Sequence, residues 1–245
     1  MSQSDEPLSS TISLTVIMAA KDEEEGLEAA IERTKAALRN FASDFEILIV
    51  DDGSVDDTGA IADRLACDDP QIRTIHHETN LNYGLSLLRG IREARCEWIL
   101  HNPIDLPLAP EDLPLFESAM ADSDVIVVRR RDRSANSPWR TLTSQTNALL
   151  LRFLFGSSHR DVNFVQFYRR EYAQSAPIGS TAPASVTPEL VMRAERTGRT
   201  VVEVEAEFRR RETGRAHFGK PKDIWWTLRD MMRLRILTAL YGWTK

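Results

Sequence analysis

The stretch from Phe45 to Thr58, F-E-I-L-I-V-D-D-G-S-V-D-D-T, constrains the fold more than any other part of the chain. Ile47, Leu48, Ile49 and Val50 make a short apolar run that stops at two carboxylates and a glycine. A buried parallel strand ends this way at a ligand crevice. In open α/β sheets ligands gather outside the carboxyl ends of strands. Asp51 and Asp52 are therefore candidates to accept hydrogen bonds from the N–H groups of a base or the hydroxyls of a ribose. The alternative is a strand followed by an ordinary turn, with Asp or Ser capping the next helix.

Upstream, Leu14 to Met18 reads as a first strand ending in A-A-K-D-E-E-E-G. Leu27, Ala30, Ile31, Thr34, Leu38 and Phe41 then recur at helical spacing. With the strand at Ile47 this is a βαβ unit, and a right-handed crossover sets the loop at Ala19 to Glu24 beside the loop at Asp51. Further on come a helix with Ile61 and Leu65, a strand at Ile72 to Ile75, a helix with Leu85, Leu88 and Ile91 inward, and strands at Trp98 to Leu100 and Val125 to Val128. After a polar loop the pattern gives a helix through Leu142 and Phe153, a strand at Asn163 to Tyr168, a helix at Pro188 to Arg196 and a strand at Thr200 to Phe208. The small-residue stretch Gln174 to Thr187 reads as a mobile connection.

Charge divides the chain in two. Residues 1–128 hold nine Lys and Arg against 26 Asp and Glu, and residues 129–245 hold 22 against 11. Arginines cluster at 129–133 and 209–215, which suits a phosphate or polyanion. The first ten residues, polar and without a basic flank or apolar run, read as a disordered tail and not a signal peptide. Two cysteines without metal-type spacing indicate a reducing compartment, so a cytoplasmic location is expected. The final segment, from Asp223, carries Trp225, Leu228, Met232, Ile236, Ala239 and Trp243 on one helical face, with Arg229, Arg233 and Arg235 near its flanks. It reads either as a helix packed on the body or in a dimer, or as an interfacial helix that brings the protein to the inner face of a membrane.

Four of these pieces match one pattern in order and spacing. V-I-M-A-A-K-D-E-E-E-G-L, V-D-D-G-S-V-D-D-T, N-L-N-Y-G-L-S-L-L-R-G-I and E-V-E-A-E-F-R-R-R-E-T-G-R-A-H-F-G together resemble the inverting glycosyltransferases of family 2, in particular dolichyl-phosphate mannose synthase and the bacterial polyprenyl-phosphate glycosyltransferases. The resemblance spans roughly residues 12 to 220. It implies a Rossmann-like glycosyltransferase A-type fold, α/β, with a central mostly parallel sheet flanked by helices. One domain over 12–222 is expected, with a nucleotide-sugar half at 12–128, an acceptor half at 129–222, a tail at 1–11 and a C-terminal amphipathic helix at 223–245.

The resemblance also implies roles. Ala19, Glu23 and Asp51, with Asp52 beside them, fall where the family binds base and ribose. Arg129, Arg140 and Arg211 fall near its donor or acceptor phosphates, and Glu189 aligns with a glutamate of an acceptor-side helix. The family's Asp-x-Asp metal signature falls at Pro103-Ile104-Asp105, so Asp105 alone is left to hold a divalent cation, Mg²⁺ or Mn²⁺, with the donor's phosphates and waters completing the shell. Asn102 is a further oxygen. The family's Ser-Lys is Ala216-His217 here, leaving His217 or Lys220 to supply positive charge. D-V-N-F-V-Q-F-Y-R-R meets the acceptor-side segment, with Asp161, only after a one-residue shift. The expected partners are a nucleotide-sugar donor and a lipid-phosphate acceptor, and no nucleic acid. The rival readings are a soluble enzyme with a hydroxyl acceptor and a degenerate sugar-nucleotide-binding protein.

Overall fold

The computed structural model describes residues 11–131, 149–157, 159, 161–207 and 221–243. Its strands are β1 (Ser13–Ala20), β2 (Asp44–Asp51), β3 (Ile72–His76), β4 (Trp98–His101), β5 (Val125–Arg130), β6 (Gln166–Arg169) and β7 (Val201–Ala206). They form one seven-stranded sheet in the order β3-β2-β1-β4-β6-β5-β7. Strand β6 runs antiparallel to both neighbours, and every other pairing is parallel. The mostly parallel sheet read from the sequence is therefore the one observed.

Helices α1 (Leu27–Arg39), α2 (Thr58–Asp68), α3 (Tyr83–Glu93), α4 (Glu117–Asp122), α5 (Arg170–Ser175), α6 (Val186–Arg196) and α7 (Pro221–Tyr241) flank the sheet, and a 3-10 helix at Pro110–Phe116 leads into α4. Residues 149–155 are helical as well. Because side chains alternate along a strand, the apolar run of β2 serves both faces. Ile47 and Ile49 join Val16 and Met18 in a core completed by Leu27, Ile31, Leu38 and Phe116. Leu48 and Val50 join Ile17 in a second core with Leu87, Ile91, Leu190, Met231 and Leu234. The result is a three-layer sandwich.

Register decides where the chemistry collects. Ala20 pairs with Asp51, Asp51 with His76, and Ile17 with His101, so β1, β2, β3 and β4 deliver their carboxyl ends to one edge of the sheet. Strand β1 lies between β2 and β4, which makes this edge the topological switch point.

Two expectations about the second half are revised. The stretch read as a mobile connection is pinned: Ser180, Ala182 and Ser185 are buried. Gly179 and Ser180 donate backbone N–H groups to the Glu189 carboxylate at 3.2 and 2.8 Å, and Thr181 and Ala182 donate theirs to Asp230 at 2.6 and 2.7 Å. Small residues serve close approach here, not looseness: a Cβ on Gly84 would sit 2.7 Å from the Ala182 carbonyl oxygen. For the last helix, read either as packed by its apolar face or as interfacial, the face turned inward is a different one. Thr227, Asp230, Met231 and Leu234 are buried, while Trp225, Leu228, Met232 and Ile236 are exposed.

Candidate active site

The β1 and β2 loops are interlocked. Lys21 Nζ donates to the Gly53 carbonyl at 2.8 Å, the Asp22 N–H to Ser54 Oγ at 3.0 Å and the Glu23 N–H to Thr58 Oγ1 at 2.8 Å. In return Val55 N–H donates to Asp22 Oδ1 and Asp57 N–H to Glu24 Oε2, both at 2.9 Å. Asp22 and Glu24 thus serve the N–H groups of a turn, and the adjacency expected from a right-handed crossover is realised. Ala19 is the partly exposed penultimate residue of β1, paired with Val50 at the crevice end.

The two neighbouring carboxylates do different work. Asp52 accepts the Leu81 N–H at 2.8 Å on Oδ1 and the Asn82 N–H at 3.0 Å on Oδ2, with His77 Nδ1 at 3.1 Å. It holds the loop that enters α3, where Asn82, at φ 95°, caps the helix through Gly84 N–H. Both Asp52 oxygens are therefore engaged inside the fold. Asp51 is buried at the strand end, receiving Ser54 N–H on Oδ1 at 2.9 Å and facing His76 Nδ1 from Oδ2 at 3.0 Å. Burial pushes its pKa up, but the bonds from Ser54 and His76 prevail and hold it below the usual carboxylate value. It stands ionised at the carboxyl end of β2, held by the Ser54 and His76 bonds.

At the end of β4, Asp105 is half-buried in a turn closed by the Leu106 N–H on the Pro103 carbonyl at 2.8 Å. Among the described residues no group of three His, Cys, Asp or Glu is placed to hold a metal ion. Asn102 is buried and exchanges hydrogen bonds with Leu108 through both amide atoms, Nδ2 to the carbonyl at 2.8 Å and Oδ1 from the N–H at 3.3 Å. It clamps the turn, with its amide oxygen accepting the Leu108 N–H. The donor set that remains, one carboxylate, fits a hard cation that keeps its waters and leans on substrate oxygens.

Beneath this turn lies a pair that the sequence reading passed over. Tyr83 Oη and His101 Nδ1 are 2.8 Å apart, and the imidazole stacks on Tyr168. Burial pushes His101 down to about 3, so the ring is neutral. Its Nε2 is buried without a hydrogen-bond partner among the described residues. Burial also raises Tyr83, and the charge of Asp105 adds to the rise, which places the phenol in that carboxylate's field. A histidine at the end of a strand that leads into the Asp105 turn was the available signal.

At the other end of the sheet Arg129 pairs with Glu205 of the outer strand β7. Arg130, its neighbour, is the one turned to the interior, meeting Asp161 Oδ1 at 2.8 Å. Asp161 is thus a buried ion-pair partner. Glu189 is fully buried and bonded to Arg193 Nε at 2.8 Å, while Arg193 reaches the Trp243 carbonyl at 2.6 Å. Arg140, Arg211, His217 and Lys220 lie outside the described residues.

Known proteins agree with this architecture. The pattern of "Glycosyl transferase family 2" matches residues 15–175. Polyprenol monophosphomannose synthase of Mycolicibacterium smegmatis is 31% identical over 216 residues, covering 81% of this chain and 78% of that protein. Undecaprenyl-phosphate 4-deoxy-4-formamido-L-arabinose transferase of Pectobacterium carotovorum is 30% identical over 208 residues, covering 84% of this chain and 62% of that protein. The chain thus spans less than two thirds of the latter relative. Among solved structures, glucosyl-3-phosphoglycerate synthase from Mycobacterium tuberculosis, in complex with Mn²⁺, uridine diphosphate and phosphoglyceric acid, superposes with a TM-score of 0.64 at 20% identity, covering 94% of this chain and 78% of that one. The fold is shared with that glycosyltransferase.

Proposed function

Because the chain belongs to glycosyl transferase family 2, we propose that it moves a sugar from a nucleotide-sugar donor to a polyprenyl phosphate, with inversion. The observation that carries the lipid acceptor is the outward face of α7. Ile224, Trp225, Leu228, Met232, Ile236, Leu237, Leu240 and Tyr241 are exposed there, interleaved with exposed Arg229, Arg233 and Arg235. Residues 149–155 add exposed Leu149 and Phe153, and their Phe155 packs edge-on against Trp243 with ring centroids 5.8 Å apart. An apolar row beside guanidinium groups suits the boundary of an anionic bilayer. No helix among the described residues is long and apolar enough to cross a membrane. In this reading the protein meets the lipid from the surface.

The chemistry follows from the charges. An oxygen of the acceptor phosphate attacks the anomeric carbon while the bond from that carbon to the donor diphosphate breaks on the opposite side, and the electron pair leaves with the nucleoside diphosphate. A phosphomonoester with a second pKa of about 6 is already a dianion at neutral pH, so no general base is required. Asp51 holds the nucleoside. Asp105 would hold a divalent cation, which when bound offsets the charge that collects on the departing diphosphate. Arg140 and Arg211, with His217 or Lys220, supply positive charge to the phosphates. Arg129 joins them only by leaving Glu205.

A panel of nucleotide sugars incubated with short-chain polyprenyl phosphate tests this reading. Release of nucleoside diphosphate together with a glycosylated lipid phosphate is expected for one donor. Turnover that ignores lipid phosphate and glycosylates a hydroxyl compound instead would replace the acceptor assignment, and the absence of turnover with every donor would leave a binding protein.

A further inference from the structure

We propose that His76 is a positioning residue for the nucleoside: clasped between Asp51 and the outer carboxylate of Asp63, it fixes the Asp51 carboxylate and makes nucleotide binding weaken as pH rises. The inference rests on Asp51 meeting the nucleoside, as in the preceding reading. His76 closes β3, and its ring spans two elements. Nδ1 lies 3.0 Å from Asp51 Oδ2 of β2, and Nε2 lies 2.8 Å from Asp63 Oδ1 of α2. A neutral imidazole carries one N–H, so one of its nitrogens would point a lone pair at a carboxylate. Both contacts are satisfied only by the imidazolium. The ring's setting agrees: the Asp51 bond raises its pKa, burial opposes, and Asp63 adds to the rise.

The surroundings are shaped for this clasp. A Cβ at Gly59 would lie 3.0 Å from Asp51 Oδ2 and 3.6 Å from His76 Cε1, so glycine in the first turn of α2 leaves room for the pair. Asp63 is steadied by Thr74 Oγ1 at 3.0 Å. The ionisable groups sharing the groove of about 340 Å³ lined by His76 are His77, Arg89 and Arg92. His77 is engaged by Asp52, and Arg89 pairs with Glu93 at 3.2 Å.

The two carboxylates are not equivalent. Asp51 is buried and Asp63 exposed, so on losing a proton the ring keeps its Nδ1–H on Asp51 and releases Asp63, which water can solvate. What Asp51 loses is the positive charge behind it. An anionic nucleotide then approaches a carboxylate whose charge is no longer balanced, and affinity falls.

The test compares dissociation constants for uridine diphosphate and guanosine diphosphate over about pH 7 to 9, where the terminal phosphate, with its pKa of about 6, is nearly fully ionised. A nuclear magnetic resonance titration of the imidazoles in the ligand-free protein runs beside it. For the wild type, affinity should fall severalfold, and the His76 ring should titrate above the ordinary value of about 6.5. Asp63→Asn should lower both midpoints. His76→Gln, which keeps one N–H for Asp51 and cannot titrate, should remove most of the wild-type fall. His77 is common to all three proteins and drops out of the comparison. A His76→Gln profile that parallels the wild type overturns the inference, as does a ring that titrates at the ordinary value and ignores Asp63→Asn. Failure of the wild type to bind either nucleotide at any pH instead overturns the sugar-nucleotide reading, and the ring titration tells the two failures apart.

Discussion

Asp230, midway along α7, takes the backbone N–H of Thr181 at 2.6 Å and so ties the last helix to the loop ahead of α6. The same oxygen accepts from the Ala182 N–H at 2.7 Å and from Ser185 Oγ at 3.1 Å. The tie continues: Asn82 Nδ2 donates to the Thr181 carbonyl, and the Asn82 N–H donates to Asp52. A single carboxylate therefore links the outer helix to the rim of the crevice. Asp230→Ala leaves buried N–H groups without an acceptor and should lower unfolding stability by about 2–3 kcal/mol, as losing hydrogen bonds to a charged group does. Chemical denaturation measures it, and a loss below about 0.5 kcal/mol, the scale of an ordinary surface change, would show that the loop is held by other means.

Adjacent in sequence, Asp51 and Asp52 should separate in experiment. Asp51→Ala is expected to weaken nucleoside diphosphate binding by about 1–3 kcal/mol, the cost of removing a charged hydrogen-bond partner. Asp52→Ala should instead cost stability of similar size, because Leu81 and Asn82 lose their acceptor. Calorimetric titration and denaturation on both variants decide it. The opposite ranking would exchange the two roles.

Much of this was legible in the sequence for one reason: apolar runs that stop at polar residues mark strand ends, and parallel strands share their ends. The run Ile47 to Val50 placed Asp51 at the crevice, and the βαβ spacing placed Lys21 to Glu24 beside it. What a linear reading misses is which of several polar groups the fold consumes. Asp52 and Asn102 look like ligands in a string, but each finds backbone N–H or carbonyl groups from a loop that only tertiary structure brings near. The same holds for Gln174 to Thr187, whose small residues read as slack and prove to be a packed junction. His76 and His101 each close a strand, which flags them in a string, but what they do follows only from partners that tertiary structure supplies.

Asp105 is the carboxylate of the β4 turn, and Asn102, the other oxygen considered there, is committed to Leu108. Asp105→Asn should therefore abolish any stimulation of sugar transfer by Mg²⁺ or Mn²⁺ while leaving the folded protein intact. Full activity of the wild type in chelator would assign the charge on the departing diphosphate to the arginines alone.

Acid should find a weak point at His101. Its folded pKa, about 3, lies below the ordinary value of about 6.5, so the unfolded state binds a proton that the folded ring refuses. The stability that goes with a neutral ring is complete above pH about 6.5. It declines as pH falls through the window down to about 3, with a slope of up to about 1.4 kcal/mol per pH unit from this group. His101→Gln keeps a polar side chain that does not titrate and should flatten that part of the profile. Denaturation midpoints measured from about pH 7 to 4 report it. Equal slopes in both proteins would locate the acid sensitivity elsewhere, for instance in the ion pairs of His159 with Glu195 and Glu203.

The face of α7 is best tested without removing the helix. Deleting residues 224–245 would take away Asp230, Met231 and Leu234 from the interior and the Trp243 carbonyl from Arg193, so lost activity would say little about membranes. Trp225, Ile236 and Leu240 are exposed at 67%, 56% and 67% and contribute to neither core. Replacing all three by serine should leave stability within about 0.5 kcal/mol, as for surface changes distant from packed features. Each large apolar side chain is worth about 1.5–3 kcal/mol when fully buried. Even partial burial in a bilayer boundary then predicts at least about a tenfold loss of affinity for vesicles containing anionic lipid. Arg229, Arg233 and Arg235 should add about 1 kcal/mol each near such a surface, a contribution that added salt weakens by screening. Transfer to a short, water-soluble acceptor phosphate should be unchanged in the triple variant, whereas transfer to vesicle-embedded acceptor should fall with binding. Vesicle affinity equal to the wild type would mean that the apolar row meets something other than lipid, and equal losses on both acceptors would mean that it supports the fold.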